Sequence, residues 1–279
     1  MANETTSSTI SELYTEIVAE ALFVANEQSI MRNLVRNYTI AGGGKAVEVP
    51  IYSTVSASAV SEASDLSNTA VNPSSVTITA SEVGIMTTLT DLARNSAPRN
   101  VAGDIGRLFG EAIAKKIDGD LSALFTGFST EKGGGAGNEI TVTDLFEASA
   151  ELVTANAPAP YYGVFHPKMI FNVKKSLTNT FVGRDTELSN EAMRSGFVGT
   201  IAGIQIFESS NVSVDGSDDS IGGVFSQDAL ALAMMQDLKI ESQRDASLRA
   251  DEIVATAVYG VGELHDSYGV KLTGDTLAN

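Results

Sequence analysis

The sequence predicts an α+β chain: a long β-tongue, one very long amphipathic helix, and a mixed region that closes in strands. Three observations carry this. Apolar residues step by three or four from Val101 to Phe128 without a break. Val47, Val49 and Ile51 alternate with Glu48, Pro50 and Tyr52, and a second alternating run begins at Val76, with a polar stretch between. From Ala229 onward the pattern is almost wholly extended. The 279 residues, 43% of them hydrophobic, suffice for one large or two ordinary domains, since domains cluster near roughly 100–150 residues.

Taken in order, residues 1–8 are polar, and Thr9 with Glu12 reads as a capping box opening a short amphipathic helix through Ile10, Leu13, Ile17, Ala21 and Val24. Gly42–Gly44 punctuate, and the strand Ala46–Tyr52 follows, marked by Pro50 as an edge. Residues 53–75 are rich in Ser, Ala, Thr and Asn and carry Glu62 and Asp65 but no Lys or Arg. Val76, Ile78 and Ala80 then alternate, and Val83, Ile85 and Leu89 resume after a phase slip near Glu82 and Gly84, which predicts a bulge. Together these runs predict a long two-stranded tongue. An isolated ribbon of that kind is marginal in water, so it must lie on something else, most economically a neighbouring copy.

Ser96 and Pro98 introduce the long helix, a run of about 28 residues and roughly 42 Å. Arg107, Glu111 and Lys115 at i, i+4 and i+8 read as a solvated, salt-paired ridge, and Gly106 and Gly110 invite close approach of another backbone. Gly133–Gly137 reads as a hinge and domain boundary. Beyond it the pattern predicts a helix at 143–156, a buried strand at Tyr161–Phe165, a turn at His166-Pro167, a helix at 168–177 and an exposed loop at 183–196. Strands are then expected at 201–207, 221–225, 229–235, 238–242, 253–260 and 267–272, with a tight acidic turn at 215–220.

Chemistry is nearly absent. There is no cysteine, and His166 and His265 are the only histidines, which excludes disulfides, thiolate sites and multi-histidine metal centres. Neither a G-x-S-x-G elbow nor an H-E-x-x-H helix occurs. Gly44-Lys45 ends like a phosphate loop, but Ala46 replaces the hydroxyl residue and Thr39 the first glycine. Asp215, Ser217 and Asp219 have calcium-like spacing, yet Ser220 stands where an EF-hand needs glycine. His166 fits a helix start, and His265 reads as a strand residue between charges. With 35 acidic and 18 basic residues the net charge is −17, which argues against duplex nucleic acid as a specific ligand. No basic start of a signal peptide precedes Arg32, and no apolar run reaches a membrane span, so a soluble, unexported protein is expected.

The order of elements is the layout of the HK97 fold, and over essentially its whole length the chain resembles the major capsid protein of a tailed bacteriophage. Tyr161–Pro167 followed by a helix is similar to a strand, X-Pro and helix of that family's axial (A) domain. Gly199–Ser209 resembles its glycine-then-strand segment. Ser226–Met234 and Asp251–Val258 are similar to the segments that enter and close the peripheral (P) domain. The resemblance implies an N-terminal arm at 1–37, an E-loop at 38–90, a P domain with its spine helix at 91–140, an A domain at 141–226, and returning P-domain strands at 227–279.

It further implies a structural, non-enzymatic subunit without cofactors, assembling as hexamers and pentamers into a virion shell in the host cytoplasm. Partners implied are a separate scaffolding protein (since Met1 is present), a portal, a decoration protein and non-specifically packaged DNA, with no membrane. Glu62 and Asp65 on the tongue are expected to contact the neighbouring subunit. Some family members cross-link this loop through a lysine–asparagine bond, but residues 53–93 hold no lysine, so non-covalent contacts are expected. The rival readings are an encapsulin shell, a flagellin-like filament protein, which the β-rich C-terminus disfavours, and an enzyme using carboxylates alone.

Overall fold

The computed structural model describes residues 29–41, 44–52, 70–96, 101–181 and 199–276, with Ala21 and several positions between 55 and 68. The expected opening helix, apart from Ala21, and the loop at 183–196 lie outside the described residues.

The chain enters through a 3-10 turn at Met31–Asn33 and strand β1 (Arg36–Thr39). Strands β2 (Ala46–Tyr52) and β3 (Pro73–Thr79) pair antiparallel from Ala46↔Thr79 to Tyr52↔Pro73. Strand β4 (Ser81–Thr90) and helix α1 (Asp91–Ser96) lead to the long helix α2 (Val101–Ala123).

The tongue is therefore shorter than the sequence predicts. No bulge interrupts β4, which pairs without a slip against β11 (Ala250–Glu263), from Ser81↔Tyr259 to Thr90↔Ala250. The change of phase is instead a change of sheet at Ala80, where the chain leaves the ribbon. Ala80 itself is tied back by its N–H to Lys45 O at 2.7 Å.

Four strands in the order β1-β10-β11-β4 form the first sheet, with β10 at Leu230–Asp245. The two strands expected at 229–235 and 238–242 are this one strand, irregular in register between Met234 and Lys239. Helix α2 covers the sheet: Phe109, Ile113, Ile117 and Leu121 are buried with Leu230, Leu232, Ile240, Ile253, Ala255 and Ala257 in one core. Each large side chain so buried contributes about 1.5–3 kcal/mol.

The α-helix stops at Ala123, short of the expected Phe128, and a 3-10 turn at Leu124–Gly127 finishes it. Residues three apart eclipse in such a turn, so Phe125 and Phe128 come to one side. Phe125 packs against the ring of Phe225 at 5.5 Å between centroids. Along α2, Arg107 pairs with Asp104 at 3.0 Å and Lys116 with Asp120 at 2.7 Å. At Gly110 the expected close approach is present: a Cβ there would stand 2.4 Å from Ala21 O.

The second sheet has the order β5-β12-β9-β6-β8-β7, from β5 (Glu131–Lys132), β6 (Tyr161–Phe165), β7 (Thr200–Ile201), β8 (Ile204–Glu208), β9 (Asp219–Ser226) and β12 (Gly269–Asp275). Helices α3 (Val142–Thr154) and α4 (Pro167–Phe181) cover it, burying Leu145, Ala148 and Leu152 beside Met169, Ile170 and Val173. The strand expected across 201–207 is a hairpin, because Ala202 and Gly203 take φ of 54° and 79° and reverse the chain. The strand expected at Ser267 starts at Gly269 instead. The glycine run at 133–137 is a pinned turn rather than a loose hinge: Gly137 donates its N–H to Asp219 Oδ1 at 2.7 Å.

Candidate assembly surface

The surface singled out by the sequence begins at the ribbon. Its base is anchored: Ile78 and Val49 are buried with Ile40, Ala80, Ala231 and Ala233. Gly260 lets the two layers touch, since a Cβ there would stand 2.4 Å from Thr79 O. Outward the ribbon loses its support. Tyr52 is 63% exposed, and Val55, Val60 and Val71 are about half exposed. Glu62 and Asp65 lie on this distal segment, both exposed, with no hydrogen bond or ion pair among the described residues. The structure thus gives them reach and solvent, but no partner among the described residues. Pro50 and Pro73 lack N–H groups, which blunts the ribbon as a pairing edge.

A second focus escaped the sequence reading. Asp118 on α2 is 1% exposed. Its carboxylate accepts from Ser29 Oγ at 2.7 Å, Ile30 N–H at 3.0 Å and Met31 N–H at 3.2 Å. Burial pushes its carboxyl above the ordinary carboxylate range, while the bonds from Ser29, Ile30, Met31 and the Asn211 side chain pull the other way. Beside it opens a cleft of about 470 Å³ lined by Ile30, Glu111, Lys115, Glu208 and Ser209–Asn211. The start of the described chain, the long helix and the loop after β8 therefore meet at one carboxylate. No local pattern marks Asp118, because its donors come from segments far away in sequence.

The other candidates take structural roles. Asp215 Oδ1 accepts the N–H groups of Ser217 at 2.8 Å and Asp219 at 2.9 Å, so this carboxylate organises a turn. Among the described residues no group of three His, Asp or Glu side chains could hold a metal ion. His166 Nδ1 accepts the Lys168 N–H at 3.3 Å at the start of α4, and burial, then the Lys168 charge, lowers its pKa. His265 is not on a strand; it precedes a 3-10 turn at Asp266–Tyr268 and packs on the Tyr268 ring at 4.7 Å. Among the described residues no helix is long and apolar enough to cross a membrane.

Comparison with known proteins places this geometry. The fold is similar to the capsid of cyanophage P-SCSP1u, at 20% identity, 88% coverage of each chain and a TM-score of 0.68. It is similar to a structure from Mycobacterium phage Che8, at 23% identity, covering 82% of this chain and 84% of that one, with a TM-score of 0.65. The capsid of Ralstonia phage GP4 aligns over 88% of each chain with a TM-score of 0.70 at only 8% identity. At these identities the likeness establishes the fold, which is the HK97-type capsid fold. No curated protein sequence matches. A family model described as "Phage capsid protein" matches residues 73–272, well over half of the sequence, and the chain therefore belongs to that phage capsid protein family.

Proposed function

We propose that this chain is the major subunit of a tailed-phage head, self-assembling as pentamers and hexamers into an icosahedral shell around packaged DNA, without catalysis of its own. The observation that carries this reading is the ribbon of seven residue pairs together with the segment beyond it, where Tyr52, Val55, Val60, Glu62, Asp65 and Val71 stand exposed and no described residue covers them. A neighbouring copy supplies the missing support, with Glu62 and Asp65 on the contact. The division is an arm at 1–37, an E-loop at 38–90, a P domain from 91–140 and 227–279, and an A domain at 141–226. Net charge −17 per copy keeps the shell from adhering to its contents. Assembly takes place in the host cytoplasm with a separate scaffolding protein, a portal and a decoration protein.

Electron microscopy of the purified protein, with and without its genomic neighbours co-expressed, tests this. Closed icosahedral particles or hexamer sheets are expected. A monodisperse monomer or dimer under both conditions would defeat the reading, and particles holding a cargo enzyme would favour an encapsulin.

A further inference from the structure

The two helices over the second sheet carry opposite charge. Helix α3 holds Asp144, Glu147 and Glu151 and no Lys or Arg. Helix α4 holds Lys168, Lys174 and Lys175 and no Asp or Glu. Their inner faces share one core, as described above, but their outer faces leave large apolar groups in water. On α3, Phe146 and Val153 are 57% and 59% exposed and, with exposed Ala150, stand at i, i+4 and i+7 along one stripe. On α4, Phe171 is 51% exposed and lies one turn after Lys168.

Part of the charge is satisfied at home. Asp144 accepts the Thr141 N–H at 2.7 Å, Glu151 pairs with Lys132 at 2.8 Å, Lys175 with Glu139 at 3.5 Å, and Lys174 with Glu208. Glu147, flanking the α3 stripe, and Lys168, next to Phe171 on α4, are both exposed and make no direct ion pair among the described residues.

We propose that these faces are the two halves of one contact between copies: the Phe146–Val153 stripe of one subunit packs on Phe171 of the next, with Glu147 meeting Lys168. The inference rests on the shell reading and names a contact within it. Self-pairing is disfavoured for either helix, since α3 on α3 sets acid against acid and α4 on α4 sets lysine against lysine. A contact between two different faces of one chain is head-to-tail, and such contacts repeat around a ring. Burial of two aromatic rings supplies the attraction, and the charges fix which face meets which.

Charge exchange in the full chain tests it. Glu147→Lys and Lys168→Glu, alone, should each lower particle yield, by sedimentation and microscopy, by roughly tenfold or more, the equivalent of about 1.4 kcal/mol. The double variant should recover to within about threefold of wild type. Both positions are exposed, so the melting temperature should hold, which separates lost assembly from lost folding. Deuterium uptake over 142–154 and 167–175 should also fall between dispersed subunits and particles.

Single variants that assemble like wild type, a double variant no better than the singles, or unchanged uptake would each overturn the contact. Normal shells that lose a co-expressed partner protein would assign the faces to that protein instead. Failure of the wild type itself to form particles would sink the shell reading, a result distinguishable from all of these.

Discussion

Ser29 Oγ donates to Asp118 Oδ1 at 2.7 Å, joining residues 89 positions apart. Ile30 and Met31 bring two further donors to the same buried carboxylate. Asp118→Ala strands these donors, and an unpaired buried group costs about 1–3 kcal/mol. The variant should therefore lose about 3 kcal/mol of unfolding free energy in urea, and a loss below about 1 kcal/mol would show that the site repacks or fills with water.

The same residue sets a pH dependence. Its pKa is raised in the folded protein, burial outweighing the hydrogen bonds. The folded state then holds the proton more tightly than the unfolded one. Its stabilising contribution is complete below the unfolded pKa and is lost as the pH rises through the raised folded value. Urea midpoints from about pH 4 to about pH 7 should fall more steeply in the wild type than in Asp118→Asn. Parallel curves would refute this.

Tyr259 donates to Asp120 Oδ2 at 2.8 Å, beneath the long helix. Burial, then Asp120, raises its pKa well above the ordinary phenol range. Of the seven tyrosines, this one should stay protonated in an ultraviolet titration up to about pH 11, beyond the ordinary value of about 10. Tyr259→Phe should cost about 1 kcal/mol.

Glycines in the second sheet make room for phenylalanine rings. A Cβ at Gly222 would stand 2.1 Å from Phe165 Cδ1, and one at Gly269 2.1 Å from Phe128 Cε1. Gly222→Ala should destabilise by about 1–3 kcal/mol, the range for overpacking a filled core, and thermal melting reads it directly. An unchanged melting temperature would mean that the ring moves aside freely.

The tongue carries no lysine between residues 53 and 93. Intact particles boiled in detergent should therefore run as one monomer band on denaturing electrophoresis. A covalent ladder would disprove non-covalent closure.

Periodicity in the sequence reveals α2, α3, β6 and the ribbon, because each buries one continuous face. It misleads where one run passes from one partner to another. Val83 and Ile85 resume the alternation of Val76 and Ile78 one residue out of phase, which reads as a bulge in one strand, yet they belong to another sheet, and only the pairing of β4 with β11 shows it. Ile201 and Ile204 look like one strand because the turn at Ala202-Gly203 interrupts the run by just two residues. Asp118 looks like any other of the 35 acidic residues, since burial depends on what arrives from elsewhere. The stripe of Phe146 and Val153 is legible only after Leu145 and Leu152 have defined the opposite, buried face of α3.

The order β1-β10-β11-β4 also sets a timetable. Strand β4 reaches its sheet only through β11, and β1 only through β10, so neither early strand has a partner until the last quarter of the chain has been synthesised. Residues 131–226, by contrast, contain every strand of the second sheet except β12. On the ribosome that region can collapse first, while the ribbon and the long helix wait for the closing strands. A subunit interrupted before Glu263 thus lacks a finished first sheet to offer its neighbours.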